Sequence, residues 1–132
     1  MNQLTPAELA AFARRYRFAG GRLRRVRVRH RGPQAAVEVV LAVRTAIRDL
    51  GTDPEPVRLK LRLTDAEEFR FQKRPGTTGG RLPDAHFGYF NGLFYVTFDA
   101  WSLEPGEQPG VHDFRGSDAF AAGRVLEWEE MH

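Results

Sequence analysis

Residues 25–29, Arg-Val-Arg-Val-Arg, residues 37–43, Val-Glu-Val-Val-Leu-Ala-Val, and residues 57–63, Val-Arg-Leu-Lys-Leu-Arg-Leu, decide the fold. Each alternates apolar side chains with others in steps of two, the pattern of a strand with one buried and one wet face. Gly32-Pro33-Gln34 makes a short hairpin connection between the first two, and residues 45–56, with Gly51, Pro54 and Pro56, form a longer polar loop. Phe69 and Phe71 continue the pattern as a further strand. If the first three strands are neighbours, Arg25, Arg27, Arg29, Arg58, Lys60 and Arg62 share one exposed sheet face.

Before these strands, Thr5, Pro6 and Glu8 supply an N-cap, a proline at the first helical position and a capping-box acid. Leu9, Phe12, Ala13 and Tyr16 then make one apolar stripe, so a helix is expected from Thr5 to near Gly20-Gly21. After them, residues 73–84 form a Gly/Pro-rich loop, and Asn91-Gly92 marks a two-residue hairpin turn. That hairpin sets Phe87, Tyr89, Phe94, Val96 and Phe98 on a core face. Its other face carries Phe90, Leu93 and Tyr95, for which the N-terminal helix is the expected lid. An acidic loop over 99–113 leads to a Ser117-capped turn and a last strand with Leu126 and Trp128 inward and Glu127 and Glu129 outward. The expected architecture is a single α+β domain over residues 1–132, with one N-terminal helix packed on an antiparallel sheet or open barrel of about six or seven strands.

The formal net charge of +3 conceals a division. Residues 1–66 carry fourteen basic and six acidic side chains, and residues 67–132 carry six and eleven. Arginine outnumbers lysine eighteen to two, as GC-rich coding produces without selection for guanidinium chemistry, so the division says more than the arginine count. Cysteine is absent, which excludes disulfides, thiolate catalysis and Cys-ligated metal. The first fifteen residues do not read as a secretory signal, and the longest uncharged run, 85–98, is too short for a membrane-spanning helix. A cytoplasmic protein without membrane contact is expected.

Catalytic constellations do not assemble. The Gly-rich loop at 75–81 continues into Arg81-Leu82-Pro83 and lacks the Gly-Lys-Ser/Thr and helix of a phosphate cradle. His86, His112, Asp84 and Asp113 do not follow metal-ligand spacing, and Gly116-Ser117-Asp118 lacks the context of a nucleophile elbow. No catalytic residue, metal or cofactor is expected. Residues 91–98 match the RNA-recognition signature at Gly92, Tyr95, Val96 and Phe98, but Asn91, Leu93 and Phe94 break it.

Two binding surfaces remain. Trp101 stands among acids in a long loop, near Glu104 and Glu107; with Phe90 and Tyr95 it forms a candidate protein-binding set, the alternative being that Trp101 folds back onto the hairpin. The six basic strand residues form a candidate anion or nucleic-acid surface, unless the acidic last strand neutralises them.

The progression from Phe18-Ala-Gly-Gly-Arg-Leu23 into Val26-Arg-Val28, then Val57 to Leu61 and Glu68-Phe69-Arg-Phe71, resembles a diffuse group of small β-rich bacterial proteins. Some of that group are classed with immunity proteins of polymorphic toxin systems. The resemblance covers roughly residues 18–72 and implies a compact β-rich protein that acts by binding. The expected function is thus a non-enzymatic protein-binding module of immunity type, with nucleic-acid binding as the alternative.

Overall fold

The computed structural model of the chain describes residues 1–46, 53–72, 81–99 and 109–131. In order these form β1 (Asn2–Leu4), a 3-10 turn (Pro6–Glu8), α1 (Leu9–Arg15), β2 (Tyr16–Arg31), β3 (Gln34–Thr45), β4 (Pro56–Phe71), β5 (His86–Phe90), β6 (Leu93–Thr97), α2 (Val111–Arg115) and β7 (Ala119–Met131). The seven strands make one antiparallel sheet in the order β2-β3-β4-β7-β6-β5, with β1 alongside β7. The expected α+β class and strand number hold.

Alternation determines the core directly. Val28, Val37, Leu63 and Leu126 lie in register across four strands, and Val26, Val39, Leu61 and Trp128 make the next row. Val37, Val39, Leu61, Leu63 and Leu126 are fully buried. Each such side chain contributes about 1.5–3 kcal/mol by leaving water. The sheet curls without closing: the rings of Phe18, on one edge strand, and Phe87, on the other, come to 5.3 Å, and Phe12 of α1 sits between them and Trp128.

The helix is shorter than its sequence suggests. Glu8 accepts the Thr5 N–H at 2.8 Å, as the capping box requires, yet Tyr16 is already extended and opposite Thr45. Tyr16 packs against Phe12, Phe18 and Trp128, and its hydroxyl donates to Glu130, so tertiary contacts override the helical period there. The expected lid is also reassigned. α1 packs on the inner, core side of the sheet, and the outer face of the β5–β6 hairpin is covered by α2. Phe114 of α2 joins Tyr95, Phe120 and Ala122 in a second buried cluster, with Phe90, Leu93 and Val111 at its margin. Tyr89, expected in the core, is exposed, though its ring meets Phe94 at 4.8 Å.

β1 and α2 lack sequence signals of their own. β1 is three residues long, and Leu4 is its buried anchor. α2 has Gly110 as N-cap, with the Gly110 N–H bonded to Asp113 Oδ2 at 2.7 Å. Ser117 follows α2 and is buried, its hydroxyl bonded with Thr97, Asp99 and Ala119, so it ties β6 to the start of β7. Phe69 and Phe71 belong to β4 itself, which passes an irregularity between Ala66 and Glu68. Among the described residues no helix is long and apolar enough to cross a membrane.

Candidate binding surface

The outer face of β2, β3, β4 and β7 holds all six basic residues singled out from the sequence, because each stands in register with the others or with Ala36, Val40 or Ala42. Their neutralisation is graded along the strands. One row reads Arg27, Glu38, Arg62, Glu127, alternating in sign across four strands. The next reads Arg25, Val40, Lys60, Glu129, and the next Arg22, Ala42, Arg58, Met131. At the end, Arg17 stands opposite Arg44, with Pro56 beyond it. The last strand thus lies beside β4, not beside β2, and its acids balance only one end of the face.

Glu38 is the hub of the balanced end. It is 7% exposed and lies 3.3 Å from Arg62, 3.7 Å from Lys60 and 3.9 Å from Arg29. A carboxylate this buried is tolerated because cations surround it. Of the six basic residues, Arg29, Lys60 and Arg62 are therefore partly spent on one carboxylate.

At the other end the chain departs from regular pairing. Between the pairs Arg17–Arg44 and Arg22–Ala42, β2 threads Phe18-Ala19-Gly20-Gly21 past Val43 alone. Gly20 takes φ +80°, and a Cβ on Gly21 would fall 2.8 Å from the Ala42 carbonyl oxygen, so this bulge needs both glycines. Leu82 fills its outer side: the Gly20 N–H donates to Leu82 at 3.0 Å and the Leu82 N–H to Gly21 at 2.8 Å. A second irregularity makes Arg24 an extra residue between Leu23 and Arg25. Arg17, Arg22, Arg24 and Arg44 then line an open hollow of about 400 Å³, with no carboxylate among its described lining residues. Sequence reading missed these four because it continued the helix through Arg17 to Gly20 and started the strand alternation at Arg25. The available signal was the run Arg22-Leu23-Arg24, which already alternates.

The aromatic candidates fare differently. Tyr95 is 2% exposed, so it is corrected from a surface anchor to a core residue beneath α2. Its hydroxyl donates to Glu68 at 2.9 Å, and Arg115 reaches Glu68 at 3.0 Å. Burial and Glu68 hold the phenol above its usual range; Glu68 is held low because Arg115 and Tyr95 outweigh the effect of its burial. Phe90 is half-buried, with its ring 5.8 Å from both Tyr95 and Phe114. Trp101, Glu104 and Glu107 lie outside the described residues.

Two of the remaining polar candidates, Asp84 and Asp113, have structural partners. Asp84 accepts the Ala85 N–H at 2.8 Å, and Asp113 is engaged at Gly110. Among the described residues no three His, Cys, Asp or Glu side chains cluster as metal ligands.

Comparison with known protein families, curated proteins and solved structures found no match to this chain.

Proposed function

We propose that this protein is a non-enzymatic binding module that docks an acidic region of another protein through the arginine end of its outer sheet face. Toxin neutralisation, of the immunity type, is the form that the sequence resemblance favours, and a cytoplasmic site of action fits a chain without cysteine. The observation that carries the reading is Arg17 opposite Arg44 in a hollow lined by four arginines. Like charges directly opposed on one sheet face cost stability, and an acidic partner relieves that cost. Arginine forks also suit bidentate pairing with carboxylates.

The same hollow favours nucleic acid as a second reading. Against it, Glu38, Glu127 and Glu129 interrupt the basic face, whereas a phosphate backbone calls for a continuous basic track. The test is a nuclease-treated pull-down from the native host, using wild type and Arg17→Glu/Arg44→Glu. A stoichiometric acidic protein, retained by wild type and lost by the variant, supports the reading. Recovery of nucleic acid instead, seen as a raised 260/280 nm ratio in low-salt preparations, overturns it in favour of the second; recovery of neither overturns both.

A further inference from the structure

The outward edge of β2 carries the mode of binding. Gly32, at φ +58°, and Pro33 form a two-residue turn that makes Arg31 and Gln34 a hydrogen-bonded pair. Pairs then alternate along the hairpin, so Val26, Val28 and His30 direct their N–H and C=O groups away from β3. Among the described residues, only Arg81 and Leu82 pair with this edge, at Gly20 to Arg22, and nothing pairs with it from Arg25 to His30. We propose that an extended segment of the partner adds to this edge as a further strand, with carboxylates opposite Arg25, Arg27 and Arg29 and apolar side chains over Val26 and Val28. The proposal rests on the protein-binding reading and specifies how the partner is held.

The molecule contains its own template for that pairing. β4, with Leu59-Lys60-Leu61-Arg62-Leu63, has the same basic and apolar alternation as β2. Its neighbour β7 answers with Glu129 opposite Lys60 and Glu127 opposite Arg62, while Leu126 and Trp128 enter the core. A strand that satisfies a basic alternation is therefore an acidic one with apolar residues at the intervening positions. β2 presents the same demand, answered on its β3 side by Glu38 alone and on its outward side by no described strand along Arg25 to Arg29. Val26 and Val28 are only half-buried, so a further strand has apolar surface to cover. The arginines also select the occupant, since pairing of two copies through β2 sets arginine against arginine. Strand addition supplies affinity through the backbone and specificity through alternate side chains.

A synthetic peptide of residues 125–131, Val-Leu-Glu-Trp-Glu-Glu-Met, carries the β7 alternation, with Glu127 and Glu129 to meet two of the three arginines, and serves as the test ligand for the isotopically labelled full chain. The expected result is saturable amide shifts on β2, with exchange at Val26, Val28 and His30 slowed at least about tenfold and affinity falling at least about tenfold between low and high salt. A peptide with its three glutamates changed to lysine is expected not to bind. Val28→Pro removes an outward N–H while leaving the β3 ladder intact, and is expected to abolish binding in a protein that still folds, at a Tm lowered by the lost Val28 packing.

Protection of these three amides before peptide is added, peptide shifts confined to β4, undiminished binding by Val28→Pro, or tighter occupation of the same edge by an oligonucleotide each overturns the proposal. A native partner that depends on Arg17 and Arg44 but leaves the β2 amides exchanging freely overturns this inference and preserves the function proposed above. Loss of the partner altogether, with the peptide still bound at β2, does the reverse.

Discussion

Arg17 on β2 stands directly across from Arg44 on β3, two guanidinium groups in one cross-strand pair on the outer face. A fold selected for stability alone replaces one of them. Arg44→Glu turns the repulsion into attraction and is expected to stabilise the protein by about 0.5 kcal/mol, a rise of roughly 2–3 °C in Tm. Thermal denaturation checks this. The wild-type Tm should rise with salt more than that of the variant, because screening removes the repulsion.

Removal of Glu38 should act in the opposite sense. With the hub carboxylate gone, Arg29, Lys60 and Arg62 face one another over a buried position, and Glu38→Gln is expected to cost about 2–3 kcal/mol. Urea denaturation measures the loss as a lower midpoint with an unchanged slope. Partner binding should survive, since the substitution adds to the positive field without touching Arg17, Arg22 or Arg24.

Alkaline stability should depend on Tyr16. Burial, reinforced by Glu130, pushes its phenol from 10.0 up to about 12. A folded-state value above the unfolded one means that the contribution is complete below pH 10 and is lost as pH rises toward 12. Tyr16→Phe should therefore show a shallower loss of stability across that window than wild type, as read by chemical denaturation at several pH values.

The lid formed by α2 should be separable from the basic surface. Phe114 is fully buried against Tyr95 and Phe90, and Phe114→Ala is expected to cost about 3–4 kcal/mol. Dye binding to the uncovered aromatic face should rise. Gly88→Ala should loosen the same contact, because its Cβ would lie 2.7 Å from Phe90 and 3.1 Å from Phe114. Peptide binding at β2 should be unaffected by either change.

The strands were legible because alternation at 25–29, 37–43 and 57–63 is a local property, and Asn91-Gly92 placed its turn between Phe90 and Leu93 as expected. The strand order was not legible. Pairing of β7 with β4 depends on Lys60 meeting Glu129 and Arg62 meeting Glu127, contacts more than sixty residues apart in sequence. The end of α1 was misread because Phe12, Phe18 and Trp128 hold Tyr16 in a strand against its helical spacing. The six basic residues were placed on one face correctly, but their separation into a neutralised end and a bare end required the register. The arginine hollow depends on a glycine bulge whose pairing with Leu82 has no local signature.

The most direct test of the whole account is the affinity of the native partner for wild type compared with Arg17→Glu/Arg44→Glu, with Arg124→Glu as a control on a different surface. Arg124 is paired with Glu67, away from the hollow. The double variant should remain folded, with a Tm near that of wild type because one like-charge pair replaces another, and bind at least about tenfold more weakly, while the control binds as wild type does. Equal affinity of the double variant and wild type contradicts the assignment of the arginine end as the binding surface.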